Sequence, residues 1–201
     1  MKWIALLFLI LSQNCLAQSY EQDIKTFRNN YVAAHLVEAH SPIKYEQVKD
    51  LRFFPIDKKY QIAAKVTRID DKKGFTMLTH SGKKKHYYKY ARLSFSLKNK
   101  TQHLYLYQSK SLMKNVEYKD YLFLPFTDNT NYETTFGGGR YLDFVLTDVK
   151  NGTIEIDFNK SYNPYCAYAG GFNCPIPPKE NDLKIKIKAG EKSPANINIE
   201  H

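Results

Sequence analysis

Between positions 128 and 163 the chain crowds together residue types that bind or react. Asp128-Asn129-Thr130 opens the stretch, Gly137-Gly138-Gly139-Arg140 follows, and Asp157, Asn159, Tyr162 and Asn163 close it. Successive glycines tolerate positive φ and let the backbone approach a partner closely. Their amides can form an anion nest, to which Arg140 would add a planar fork for carboxylate or phosphate. On that reading Arg140 anchors a small polar or anionic ligand. Asp128, Thr130, Gly138, Gly139, Asp157, Asn159, Tyr162 and Asn163 would surround it. The plain alternative makes the glycines a bulge entering a strand at Tyr141, with Arg140 buried against Asp128 or Asp157. The run also lacks the Lys-Ser/Thr ending of a phosphate loop.

The acids of this region are Asp128, Glu133, Asp143 and Asp157. A pair of them, Asp128 with Asp157, would suit acid/base hydrolysis of a glycan or ester if the fold set a suitable separation. Asp128 is equally a turn residue whose carboxylate accepts nearby backbone amides. Calcium binding by Asp128, Asp157 and Asn159 lacks the loop spacing typical of that ion, so no metal and no cofactor is expected. Neither a Gly-X-Ser-X-Gly elbow nor a His-Glu-X-X-His helix is present, and all six histidines fall outside the stretch. The clustered Tyr162, Tyr165 and Tyr168 suit ring stacking on a polar organic ligand, or simply a half-wet sheet surface.

These residues sit in a chain that reads as exported. Lys2, an apolar run over residues 3–11 and Cys15-Leu16-Ala17 make residues 1–17 a signal peptide cleaved after Ala17. The apolar run is shorter than the roughly 20 residues that span a bilayer. A periplasmic or extracellular destination follows. Cys166 and Cys174 then remain, and an isolated pair in an oxidising compartment is expected as a disulfide. The formal charge of +10 rests on dispersed lysines, the solvated-face pattern rather than a nucleic-acid patch.

The elements that must position the stretch follow from periodicity. Ile24, Phe27, Tyr31 and Ala34 recur at helical spacing, and Ser41-Pro42 ends that segment. From residue 60 the period becomes two. Strands are predicted at 60–69, 74–80, 87–97, 103–108, 121–126, 141–149, 153–158 and 183–189. Asn151-Gly152 is the best hairpin signal. In the last strand Leu183, Ile185 and Ile187 alternate with Lys184, Lys186 and Lys188, one face apolar and the other wet. The expectation is a mainly β protein, an antiparallel sandwich or barrel of about eight strands with an N-terminal helix. A single domain covers residues 18–192, and 193–201 form a polar tail.

Several short motifs occur together in order. They are Ser41-Pro42-Ile43, Phe53-Phe54-Pro55-Ile56-Asp57, Leu124-Pro125-Phe126-Thr127-Asp128-Asn129-Thr130 and Gly138-Gly139-Arg140-Tyr141-Leu142. Further on come Asp157-Phe158-Asn159, Tyr162-Asn163-Pro164-Tyr165-Cys166-Ala167-Tyr168, Cys174-Pro175-Ile176-Pro177-Pro178, Glu180-Asn181 and Ala189-Gly190-Glu191. On these residues the chain resembles domain-of-unknown-function family 1684, a bacterial family found largely in exported proteins. Phe136 departs from the tyrosine usual there, and Ala91 from a glycine. The resemblance implies no activity. The expected function is non-catalytic ligand binding at the Arg140 cluster, with the Asp128/Asp157 hydrolase as its rival.

Overall fold

The computed structural model describes residues 2–195, with side chains from residue 18 onward. The expected signal segment and the end of the polar tail lie outside the residues described with side chains. Helix α1 (Lys2–Val37) is followed by eight strands: β1 (Gln61–Arg68), β2 (Phe75–Leu78), β3 (Lys84–Leu97), β4 (Lys100–Ser109), β5 (Tyr121–Asp128), β6 (Arg140–Val145), β7 (Thr153–Asp157) and β8 (Asp182–Leu183). They form one sheet in the order β6-β5-β4-β3-β1-β7, with β2 added to β3 and β8 to β5. All pairings are antiparallel except β5 with β8. The sheet curls into a half-barrel, which settles the sandwich-or-barrel alternative. No described helix is long and apolar enough to cross a membrane.

Period-two alternation gives each strand one apolar face, and curling turns those faces inward. Ala64, Leu93, Leu104, Leu106, Leu122 and Leu124 are fully buried there, with Phe126, Ile156 and Phe158. The opposite face of β5 and β6 carries Tyr121, Phe123, Tyr141 and Asp143, joined from neighbouring strands by Met77, Tyr87 and Tyr107. This second, tyrosine-rich layer is where α1 and the C-terminal loops pack. Its rings contact one another: Phe123 and Tyr141 lie 4.7 Å apart edge to face, and Tyr141 and Tyr162 lie 5.9 Å apart.

The strand expected over 74–80 narrows to β2, and two others are cut short for a physical reason. The strand expected over 141–149 stops at Val145 and passes into a 3-10 turn at Leu146–Asp148. Asn151 and Gly152 do take positive φ, 51° and 73°, as a primed turn requires. Only the Lys150–Thr153 bridge flanks that turn, because β7 leaves β6 and pairs with β1 instead. The strand expected over 183–189 pairs for two residues only. Beyond them its groups bond elsewhere: the Ile185 carbonyl accepts from Asn129 N–H at 3.1 Å, and Ile187 N–H donates to the Asp128 carboxylate at 3.2 Å. The apolar/lysine alternation still holds, with Leu183 and Ile187 buried and Lys184, Lys186 and Lys188 exposed. This segment is a strap across the mouth of the half-barrel.

Helix α1 ends ahead of Pro42. Its packed stripe is Tyr20, Ile24, Phe27, Tyr31 and His35 rather than one ending on Ala34, which is exposed. His35 is buried, its Nδ1 3.1 Å from the Ser41 hydroxyl.

Candidate functional site

Arg140 has no exposed surface. It enters β6 on the core face, below Phe126, whose ring centre is 5.2 Å from the guanidinium carbon. One nitrogen, Nη2, reaches the Asp128 carboxylate at 2.6 Å and the Ile187 carbonyl at 3.0 Å. The other, Nη1, donates to the carbonyls of Ala189 and, at 3.3 Å, Glu191. Asp128 accepts Thr130 N–H at 2.7 Å and the Thr130 hydroxyl at 2.6 Å, an Asx turn closed on itself. Of Gly137, Gly138 and Gly139 only the last has positive φ, 88°, and its N–H is spent on the Phe136 carbonyl. A Cβ there would stand 2.6 Å from the Phe126 carbonyl, and one on Gly138 would meet the rings of Phe136 and His80. The glycines serve close packing. A guanidinium without solvent contact pins the strap to the sheet and presents nothing to a ligand.

Asp157 and Asn159 form a separate network. The Tyr20 hydroxyl lies 3.1 and 3.2 Å from the two Asp157 oxygens, and Asn159 donates to Asp157 from both its backbone and side chain at 3.0 Å. Asn159 also takes the Asp57 N–H at 3.1 Å, so the pair staples α1 and the turn at Asp57 to the end of β7. Asn163 is buried and donates to the Lys192 carbonyl at 2.7 Å. Asp128 and Asp157 therefore belong to different buried clusters, and the pairing expected for hydrolysis is not assembled. No group of three or more potential metal ligands occurs among the described residues.

Of the nine residues expected in the site, Tyr162 faces open space most clearly. It forms part of a cleft of about 780 Å³ between α1, β6 and the loop leading to Pro175. An adjoining cavity of about 520 Å³ lies where the edge strands β6 and β7 fail to meet. Phe27, Asp143 and Tyr162 border both. Asp143 is the carboxylate at this junction. It accepts the Tyr121 hydroxyl at 2.5 Å on one oxygen and the Tyr162 hydroxyl at 2.7 Å on the other. Tyr162 is held in place by two backbone hydrogen bonds to Tyr141, at 2.9 and 3.1 Å.

Asp143 combines two properties that rarely coincide. The residue is exposed to solvent, yet its carboxylate is packed beside the two phenols and borders both cavities. Burial accordingly pushes its carboxyl above the ordinary range, against the downward pull of the two phenol hydrogen bonds. The same burial and the nearby carboxylate hold Tyr121 and Tyr162 well above the usual tyrosine range, so both remain donors. Accessible carboxyls with perturbed acidity in a cleft are a recognised mark of functional sites. The signal for Asp143 in the sequence was slight: an acid on the same strand face as Tyr141, with nothing to say that Tyr162 would meet it.

Cys166 and Cys174 are bonded, their Cα atoms 6.2 Å apart. Phe172, Cys174 and Pro175 form one wall of the cleft, so the disulfide shapes it. In the chain-entropy view a loop this short contributes roughly 2–3 kcal/mol. Reduction should lower the urea midpoint accordingly, measured with and without a phosphine reductant. An unchanged midpoint would remove the staple from the stability argument.

A mainly β half-barrel carrying a tyrosine-walled cleft under its helix defines the class of protein. The sequence profile of the protein family of unknown function DUF1684 matches residues 46–192, and the chain belongs to that family. It is similar to an uncharacterized protein of Haloarcula marismortui solved by solution NMR, at 29% identity and a TM-score of 0.67. That match covers 90% of this chain and 97% of the other. No curated protein matches the chain.

Proposed function

We propose that this protein is a non-catalytic binder of one small polar molecule, seated in the cleft at Asp143, and that it works after export from the cell. The observation that carries the binding reading is Asp143 itself: an open carboxylate oriented by two phenols at the floor of an aromatic recess. Ligand pockets typically pair such apolar walls with a few fixed polar groups. The anchor is thus Asp143 rather than Arg140, whose burial favours the structural alternative. An anionic ligand loses its support with that change.

The test is an NMR titration against a panel of monosaccharides, amino acids and small amines. A ligand should move the amide resonances of Tyr121, Asp143 and Tyr162 together. Asp143→Asn should weaken it about tenfold or more, the scale of a lost charged hydrogen bond. Shifts scattered over the surface, or none from any panel member, would sink the reading. Export draws support from the leading segment and from the disulfide, which an oxidising compartment sustains. N-terminal sequencing of the secreted protein should begin at Gln18, whereas retention of Met1 in a cell fraction would refute it.

A further inference from the structure

We infer that the cleft selects a small organic ammonium, its charge resting on Asp143 and its hydrocarbon part on the surrounding rings. The inference rests on the binding reading above and narrows it to one ligand class.

The floor of the cleft is built of acceptors. Each of the Tyr121 and Tyr162 phenols has one hydrogen, and each gives it to Asp143. What remains open toward the cleft are carboxylate lone pairs and phenol oxygens. At Asp143 a ligand must therefore bring N–H or O–H groups, and an anion meets a like charge there. The carboxylate also has no ion-pair partner within 4 Å among the described residues. Every ion pair among the described residues lies elsewhere, and none involves Asp143. Other charged groups along the cleft nearly cancel, since Lys85 and Glu38 oppose one another. Burial holds the His35 imidazole below its ordinary value, so it adds no charge near neutrality.

Polyols and amines both supply donors, and the walls and the charge decide between them. Phe27, Tyr31, Tyr141, Tyr165 and Phe172 line the cleft, and aromatic faces attract cations through the ring quadrupole. The protein already uses this chemistry next door, where the Lys160 ammonium stands 5.8 Å from the Phe27 ring centre. A sugar would leave the Asp143 charge uncompensated. An ammonium neutralises it with charge-assisted bonds about twice as strong as neutral ones. The cation wins on both counts.

The experiment is a calorimetric and NMR titration of the full chain with choline, ethanolamine, 3,3-dimethylbutan-1-ol and glucose. The alcohol has the shape of choline without its charge. Choline or ethanolamine should shift Tyr121, Asp143 and Tyr162 and bind roughly tenfold tighter than the alcohol or glucose. Asp143→Asn should erase that preference. The wild-type comparison suffices if the variant does not fold. Equal or tighter binding of the alcohol or glucose in the same cleft overturns the ammonium class and leaves the binding reading standing. Failure of both amines to shift these residues also overturns it. The binding reading then rests on the wider panel.

Discussion

Replacing Arg140 by methionine should destabilise the protein by about 3–5 kcal/mol, the cost of leaving one partner of a buried ion pair alone. Methionine keeps much of the volume, so the loss is electrostatic rather than a cavity. It strands the Asp128 carboxylate, which has no exposed side-chain surface, and removes the donor to the carbonyls of Ile187, Ala189 and Glu191. Those carbonyls belong to the strap and to Glu191 just beyond it, and the strap has only a two-residue ladder of its own. The strap should loosen before the sheet does, and hydrogen exchange at Ile187 should rise first. Pairing Arg140→Met with Asp128→Asn removes the stranded charge and should recover much of the loss. Urea denaturation of the two single variants and the double variant makes the cycle. A single-variant cost below about 1 kcal/mol, the usual worth of an exposed pair, would show that Arg140 is not the strut described.

Stability should fall as pH rises from about 4.5 to about 7, and Glu191 should be the main cause. Its side chain is fully buried, receiving the Tyr168 hydroxyl, the Tyr31 hydroxyl at 3.2 Å and Asn163 N–H at 2.7 Å. Burial pushes its carboxyl from 4.5 up to about 7, outweighing those bonds and the pull of Arg140. A carboxyl with a raised folded-state value binds its proton more tightly in the native state. Its contribution is therefore complete below pH 4.5 and is lost as pH climbs to about 7. A displacement from 4.5 to about 7 is worth roughly 3 kcal/mol at 1.36 kcal/mol per pH unit. Glu191→Gln should flatten the curve across that window, making the variant relatively more stable in mild alkali than in mild acid. Asp143 slopes the same way, so the difference between wild type and Glu191→Gln isolates the glutamate. A difference that stays constant with pH would overturn the assignment.

How much of this was legible beforehand varies with the range of the interaction. Local signals hold where the chain settles its own conformation. Asn151-Gly152 adopts its turn, Asp128 closes its Asx turn with Thr130, and Leu183 and Ile187 alternate with lysines as expected. The strap did not become a strand because Arg140 and Asp128, from β6 and β5, claim its carbonyls and an amide. No pattern within 183–189 announces that. His35 lies outside the polar stretch in sequence and is buried in the fold, since only tertiary packing brings Ser41 and Tyr165 beside it.

The candidate site shows the same division more sharply. Arg140, Asp128, Asp157 and Asn159 stand out in the sequence because buried polar networks need unusual residues in constrained places. That is equally what a binding site needs, and the sequence does not separate the two. Burial decides between them, and burial is a property of the whole fold. Asp143 lies on an ordinary alternating strand, and became a candidate only when Tyr121 and Tyr162 converged on it under α1. By itself the sequence determined the β-rich class, the helix, the cysteine staple and the family, because periodicity, turn chemistry and motif order are local. Only the tertiary structure decided which polar cluster is sealed and which is open. Solvent access depends on contacts between residues far apart in the chain, and no local pattern encodes it.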